Sequence, residues 1–343
     1  MSGRAALKGF IFSKFLSLAT ALIIIAACAF ALEVAAGSAV NSALAAESHE
    51  PLDVTATLAG AEPVFVSDYF SFIGADEKGH VAFAIDNNRS RRGRKFSADA
   101  HVVLHDEHEG WVSVPGAGDY ENKKKELLAI PDSPDFQFTG EVKSGITLHS
   151  PNNRLELEVA PINELVSRVG AKAIFSMGSV SATLKWRGRV IPGRVIYEYI
   201  FMKSLSRWYS AFSGLYFNDF QGLYLKTGEG DDFYLHTSKG TAWQDMFDRV
   251  MGFQVIDGQY ELLCELRIEV PERSLGPGFY LWPQSWRVSW QGSKGSGTLS
   301  VNVIDRKTVT NWLIGGFAMA IVTGELTYGG KTRPVYGLAE LIR

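Results

Sequence analysis

Leu184-Lys185-Trp186-Arg187-Gly188-Arg189-Val190-Ile191-Pro192-Gly193-Arg194-Val195-Ile196-Tyr197-Glu198-Tyr199-Ile200 has a counterpart at the end of the chain: Leu326-Thr327-Tyr328-Gly329-Gly330-Lys331-Thr332-Arg333-Pro334-Val335-Tyr336-Gly337-Leu338-Ala339-Glu340-Leu341-Ile342. Aligned without a gap, they pair Leu184 with Leu326, Trp186 with Tyr328, Gly188 with Gly330, Arg189 with Lys331, Pro192 with Pro334, Glu198 with Glu340 and Ile200 with Ile342. Each copy reads as a strand, a Gly-basic turn, a proline and a second strand. The copies lie about 142 residues apart, close to the size of one domain. Two similar halves, each closed by this unit, are therefore expected.

Outward from these segments the chain keeps the same character. Short runs rich in Val, Tyr, Phe and Thr are broken by Gly, Pro, Asn and Asp, which predicts an all-β protein. Eight or more such runs per half point to two tandem β-barrels or sandwiches. Leu155-Glu156-Leu157-Glu158-Val159 alternates and predicts a strand with one wet face. Asn163 to Val169 suggests a helical turn or two. Gln259 to Val270 and Phe279 to Trp290 read as long strands, and Trp312 to Val322 as a buried strand or core helix. With 46% hydrophobic residues in 343, the chain can fill two cores. A net charge of -3 argues against nucleic acid as a partner.

The N-terminus reads as a targeting segment, residues 1–45. Arg4, Lys8 and Lys14 precede an apolar run from Phe15 to Leu32, and Ala43-Leu44-Ala45 offers an A-x-A cleavage site. Cleavage gives a periplasmic or secreted protein with a charge of about -5 and a single cysteine, Cys264. An uncleaved segment would instead anchor the protein in the inner membrane through residues 15–32. A third reading is a lipoprotein: Ile25-Ala26-Ala27-Cys28 resembles a lipobox, although apolar residues follow it. Residues 46–63 read as a polar leader arm. The first half spans 64–203 and the second 204–343.

Several groups could carry chemistry. Glu198 and Glu340 each sit on an apolar strand face, where a carboxyl would hold its proton and act as an acid. The alternative is structural, with the glutamates anchoring the turn through Arg189, Arg194 or Lys331. Asp86 and Asp219 are further candidate acids. Tyr280, Trp282, Trp286 and Trp290 share strand parity. They read either as packing between the halves or as the wall of a cavity for a long apolar ligand. Arg89, Arg91 and Arg92 lie in a basic connection, Asn87 to Lys95, that could bind an anionic headgroup. His101, His105 and His108 cluster without a zinc spacing, and a solvated hairpin end is expected there. No metal site and no cofactor is expected. Nucleotide-binding and common hydrolase motifs are absent from the sequence.

The two Gly-basic-Pro-strand-Glu units resemble the closing strands of each half in the AttH/CrtC-like lipocalin family. That family includes the carotenoid 1,2-hydratases (hydroxyneurosporene synthases), with tocopherol cyclases a more distant comparison. The resemblance covers about residues 60–343. It implies two tandem lipocalin-like β-barrels and a lipid-like or isoprenoid ligand of carotenoid type. In the hydratases an acid protonates a carbon–carbon double bond and water adds. No catalytic residue of the family maps onto a definite position here. Three functions are therefore open: binding a hydrophobic small molecule at the bacterial cell envelope, a hydratase or isoprenoid cyclase reaction, and a structural interaction module without a ligand.

Overall fold

The computed structural model describes residues 63–342, except 117, 123–124, 170–172, 203–219, 229, 238–249 and 312–315. All of these belong to one compact unit, Asn41–Arg343. The targeting segment, nearly all of the leader arm and Asp219 lie outside the described residues. No helix among the described residues is long and apolar enough to cross a membrane.

The first half contributes β1 (Phe65–Asp76), β2 (Gly79–Arg92), β3 (Lys95–Asp106), β4 (Gly110–Val112), β5 (Gly118–Glu121), β6 (Gln137–Glu141), β7 (Gly145–Ser150), β8 (Leu155–Val159), β9 (Val166–Val169), β10 (Ala173–Trp186) and β11 (Arg189–Met202). The second contributes β12 (Phe220–Thr227), β13 (Asp232–Thr237), β14 (Val250–Ile256), β15 (Gln259–Leu262), β16 (Cys264–Glu269), β17 (Arg273–Gly276), β18 (Tyr280–Pro283), β19 (Ser285–Gly292), β20 (Gly295–Asn311), β21 (Gly316–Tyr328) and β22 (Lys331–Ile342). Two large curled antiparallel sheets result. One runs β4-β3-β2-β1-β11-β10-β8-β7-β6 and the other β15-β14-β13-β12-β22-β21-β20-β19-β16.

The repeated segments form equivalent hairpins, β10–β11 and β21–β22. Each turns through two residues of positive φ, Arg187-Gly188 and Gly329-Gly330. Such turns match the right-handed twist of the strands they join, and they favour glycine. Register extends the equivalence: Tyr69 lies opposite Glu198 in one sheet, and Gly222 opposite Glu340 in the other. Each proline falls just past the end of a neighbouring ladder, where β1 stops at Gly193 and β12 at Val335.

Alternation then gives each sheet two buried faces. In the first sheet Phe70, Phe72, Phe83, Ile85, Val195 and Tyr197 point inside the curl. The opposite face carries Tyr69, Ala82, Ala84, Val103 and Ile196. It packs against Tyr224, Tyr234, Phe253, Met319, Ile321 and Leu338 of the second sheet, forming one apolar cluster between the halves. Leu155–Val159 alternates as its sequence predicts.

Four local expectations are corrected. Val166–Val169 is a strand paired with β10, because its backbone finds a ladder that no helix would supply. Gln259 to Val270 is broken at Leu263, so β15 pairs with β14 and β16 with β19. Phe279 to Trp290 is likewise two strands, since β18 pairs with β17 and β19 with β20. Asn87 to Arg92 is no loop but the end of β2, in register with β3 to the hairpin tip.

Candidate active site

Glu198 on β11 and Glu340 on β22 face each other across the apolar cluster between the halves. Tyr224 of β12 stands between them, its hydroxyl oxygen 2.9 Å from Glu198 Oε1 and 3.1 Å from Glu340 Oε2. Both glutamates are buried, at 4% and 6% exposure. A phenol has one proton to donate. It donates to one carboxylate, so the other contact is a hydrogen bond only if that carboxyl is protonated and donates to the phenol oxygen. The geometry therefore selects a state in which the pair retains at least one proton.

Electrostatics agrees. Burial, opposed by hydrogen bonds from Tyr234 and Tyr224, pushes the Glu198 carboxyl up to about 7. Burial and then the Glu198 charge push Glu340 well above the usual carboxylate range. The phenols of Tyr69, Tyr224 and Tyr234 are driven up by burial and by the same glutamates, so they stay protonated. A continuous line of exchangeable protons results. It runs from His236, whose Nδ1 lies 3.1 Å from the Tyr234 hydroxyl, through Tyr234 to Glu198, Tyr224 and Glu340.

Aromatic faces surround the acids. Tyr69 and Tyr224 have ring centroids 5.0 Å apart, Tyr224 and Tyr234 5.2 Å, and Tyr234 and Phe253 5.4 Å. Gly222 makes room for the bridging phenol. A Cβ there would lie 3.0 Å from the Tyr224 hydroxyl oxygen, closer than ordinary contact. On β1, Tyr69 and Ser71 lie near each other, but their buried hydroxyls make no hydrogen bond of good geometry. Leaving such a group unsatisfied costs about 1–3 kcal/mol, so a water or a ligand oxygen is favoured beside them.

Asp86 lies on the same face of the first sheet. Ser67 donates to its Oδ1 at 2.7 Å and Asn88 to its Oδ2 at 2.8 Å, and burial raises its pKa. Its charge in turn raises Glu198 and Glu340. Three of the four candidate acids thus share one region. Neither arginine anchors a glutamate, because both are engaged elsewhere, and Lys331 is exposed at the tip of its hairpin. Arg189 holds Asp76 through two hydrogen bonds, at 2.8 and 2.6 Å, and also Asp106, while Arg194 pairs with Asp232.

The remaining candidates lie apart. Arg89 is fully buried inside the first sheet, ion-paired with Asp68 and donating to Leu127 O at 2.8 Å. Its place in an ordered strand turns it inward, which corrects the expectation of an exposed basic loop. Arg91 is half-buried, and the Arg92 side chain lies outside the described residues. Trp286 and Trp290 are buried inside the curl of the second sheet. Trp286 donates to Gln221 at 2.8 Å, and Trp290 packs on Phe233. The packing-between-halves reading is corrected there, since Phe233 and Tyr234 face opposite ways. Tyr280 and Trp282 are buried against each other beside β17. His105 is buried against Trp111 and Tyr336, not solvated. Among the described residues no group of three or more His, Cys, Asp or Glu could hold a metal ion.

Farther along the same strands, a cavity of about 570 Å³ opens between the halves, lined by Ile73, His80, Lys226, Ile304, Val335 and Tyr336 among others. Lys226 is two residues beyond Tyr224 on the same face of β12, about 7 Å along the strand.

Structural comparison finds the fold among solved structures. A protein assigned as AttH from Nitrosomonas europaea superposes with a TM-score of 0.59 at 14% identity, covering 88% of this chain and all of the other. Kievitone hydratase from Nectria haematococca superposes at 0.55 and 9% identity, covering 88% and 97%. The fold is lipocalin-like, in two halves. CghA in complex with Sch210972 shares it at 0.51 and 11% identity, covering 82% and 89%. No protein-family model and no curated protein matches the sequence itself.

Sequence reasoning missed Tyr224, Tyr234, Tyr69, His236 and Lys226. Their strands were legible, and so was the parity that puts Tyr224 with Lys226 and Tyr234 with His236. What no local pattern reveals is which sheet faces meet.

Proposed function

We propose that the protein is a hydratase or cyclase for a hydrophobic, unsaturated small molecule of isoprenoid type, with Glu198 as the proton donor. The observation that carries this reading is the buried Glu198–Tyr224–Glu340 bridge, a carboxyl pair that retains at least one proton, in an aromatic wall. Kievitone hydratase, a protein of the same fold, supports it. Binding such a molecule without chemistry would need the apolar wall but not the acids.

In the hydration, Glu198 transfers its proton to one carbon of the double bond, and the π electrons form the new C–H bond. The other carbon becomes cationic. The faces of Tyr69, Tyr224 and Tyr234 stabilise it through their ring quadrupoles. A water held at the Tyr69 and Ser71 hydroxyls adds its oxygen to that carbon. Its surplus proton returns to the Glu198 carboxylate, so the acid is regenerated and water is the only co-reactant consumed. In a cyclisation, a second double bond attacks the cation and a neighbouring carbon returns the proton. Tyr224 and Glu340 keep Glu198 supplied with a proton between turnovers. We place this activity at the bacterial cell envelope, on the basic-apolar-A-x-A layout of residues 1–45.

The test is incubation of wild-type protein and Glu198→Gln with a panel of acyclic isoprenoids, including a carotenoid-type polyene, in light and heavy water. A hydratase adds the mass of one water, and a cyclase gives an isomer. Either product formed in heavy water carries solvent deuterium on carbon. Equal conversion by Glu198→Gln would remove Glu198 as the acid.

A further inference from the structure

The groove between the halves contains a cation, Lys226, that no described carboxylate pairs. Among the described residues, no carboxylate lies within ion-pair distance of Lys226. Asp232, directly across from it on β13, is held by Arg194 and Ser179. Glu107 accepts from the His80 backbone at 2.7 Å and lies 3.0 Å from its ring Nδ1, and Glu325 is exposed at the rim. Tyr336 stacks on His80 at 4.3 Å, and Ile73, Ile304 and Val335 supply apolar wall. One end of the groove is thus cationic and half-buried, and Tyr224 is the next residue along that face of β12.

We propose that this groove is the headgroup subsite of the substrate, with Lys226 holding a single carboxylate while the apolar chain runs along the interface toward Tyr224. The proposal rests on the hydratase or cyclase reading of the glutamate pair and names the class of molecule that pair acts on: an unsaturated apolar acid. A lone ammonium matches one carboxylate, and the groove offers no guanidinium fork for a phosphate. Burial lowers the Lys226 pKa, a cost that a bound anion offsets. The strand spacing of about 7 Å puts Tyr224, whose hydroxyl contacts the proton donor, several carbons from the head.

The probes are farnesoic acid and farnesol, which share one chain and differ in charge, titrated calorimetrically into the protein at neutral pH. Wild type is expected to bind farnesoate about 10-fold more tightly than farnesol. Lys226→Met should abolish that preference and leave farnesol binding unchanged. Lys226→Arg should keep it, and thermal melting of both variants checks their folding. Equal affinities in wild type, no farnesoate binding, or a preference that survives in Lys226→Met would each overturn the subsite. Glu198→Gln should bind farnesoate as wild type does. Its turnover is read separately, so the acid and the subsite can fail independently.

Discussion

On the second sheet Tyr224 and Tyr234 stand where the first sheet has Ser71 and Ala84, and Gly222 stands where the first has Tyr69. The hairpins that carry Glu198 and Glu340 are equivalent, but the strands beside them are not. One sheet brings two phenols and a gap for one of them. The other brings one phenol, one small hydroxyl and Asp86. Symmetric placement brings the carboxyls together, and asymmetric surroundings make them different acids. Glu198 takes hydrogen bonds from both Tyr224 and Tyr234, which oppose the effect of burial. Glu340 has Tyr224 alone and feels the Glu198 charge, so it holds its proton more firmly. Duplication explains how two acids meet, and divergence explains how one becomes a donor and the other its reserve.

That comparison can be broken in graded steps. Glu198→Gln, which removes the donor but keeps its shape, should reduce turnover by about 10²–10⁴-fold in a steady-state assay. Tyr224→Phe removes the shared proton but keeps the ring, and turnover should fall by about 10–100-fold. Gly222→Ala restores part of the bulk present at Tyr69 and pushes the bridging phenol aside. The same assay should show a loss on the order of 10-fold, because misplacing a catalytic group by a fraction of an ångström is enough.

Two smaller effects sharpen the comparison through pH. Glu198 titrates near 7 in the folded protein and near 4.5 as an unperturbed glutamate. The folded state therefore binds more protons between those values, and its stability falls as pH rises through that window. Glu198→Gln should flatten this loss in urea titrations between pH 5 and 7. Asp86→Asn removes a charge that raises Glu198. The alkaline limb of the rate profile should move to lower pH by about half a unit.

Much of the fold was legible from the repeated segment and the turn residues around it, since β-pairing there follows local alternation. The equivalence of Glu198 and Glu340 was legible too, although their meeting was not. Alternation says that Glu198 opposes Tyr197, but not which of the two looks into a sheet's curl and which toward the other half. That choice depends on contacts between residues far apart in sequence. Arg89 shows the same limit in reverse. A run of arginines reads as a solvated loop unless Asp68, 21 residues earlier, is known to wait inside the sheet. The tryptophans were legible as buried, and only the tertiary fold assigned Trp286 and Trp290 to the inside of the second sheet and Trp282 to the β17–β18 pair.

The most direct test is a carbon-13 NMR titration of the glutamate side-chain carboxyls, with the Glu198 signal identified by its loss in Glu198→Gln. The account predicts a midpoint near 7 for Glu198 and, in Tyr224→Phe, a further rise as the hydrogen bond that favours the charged form is lost. A midpoint near 4.5, the value of an unperturbed glutamate, would contradict it.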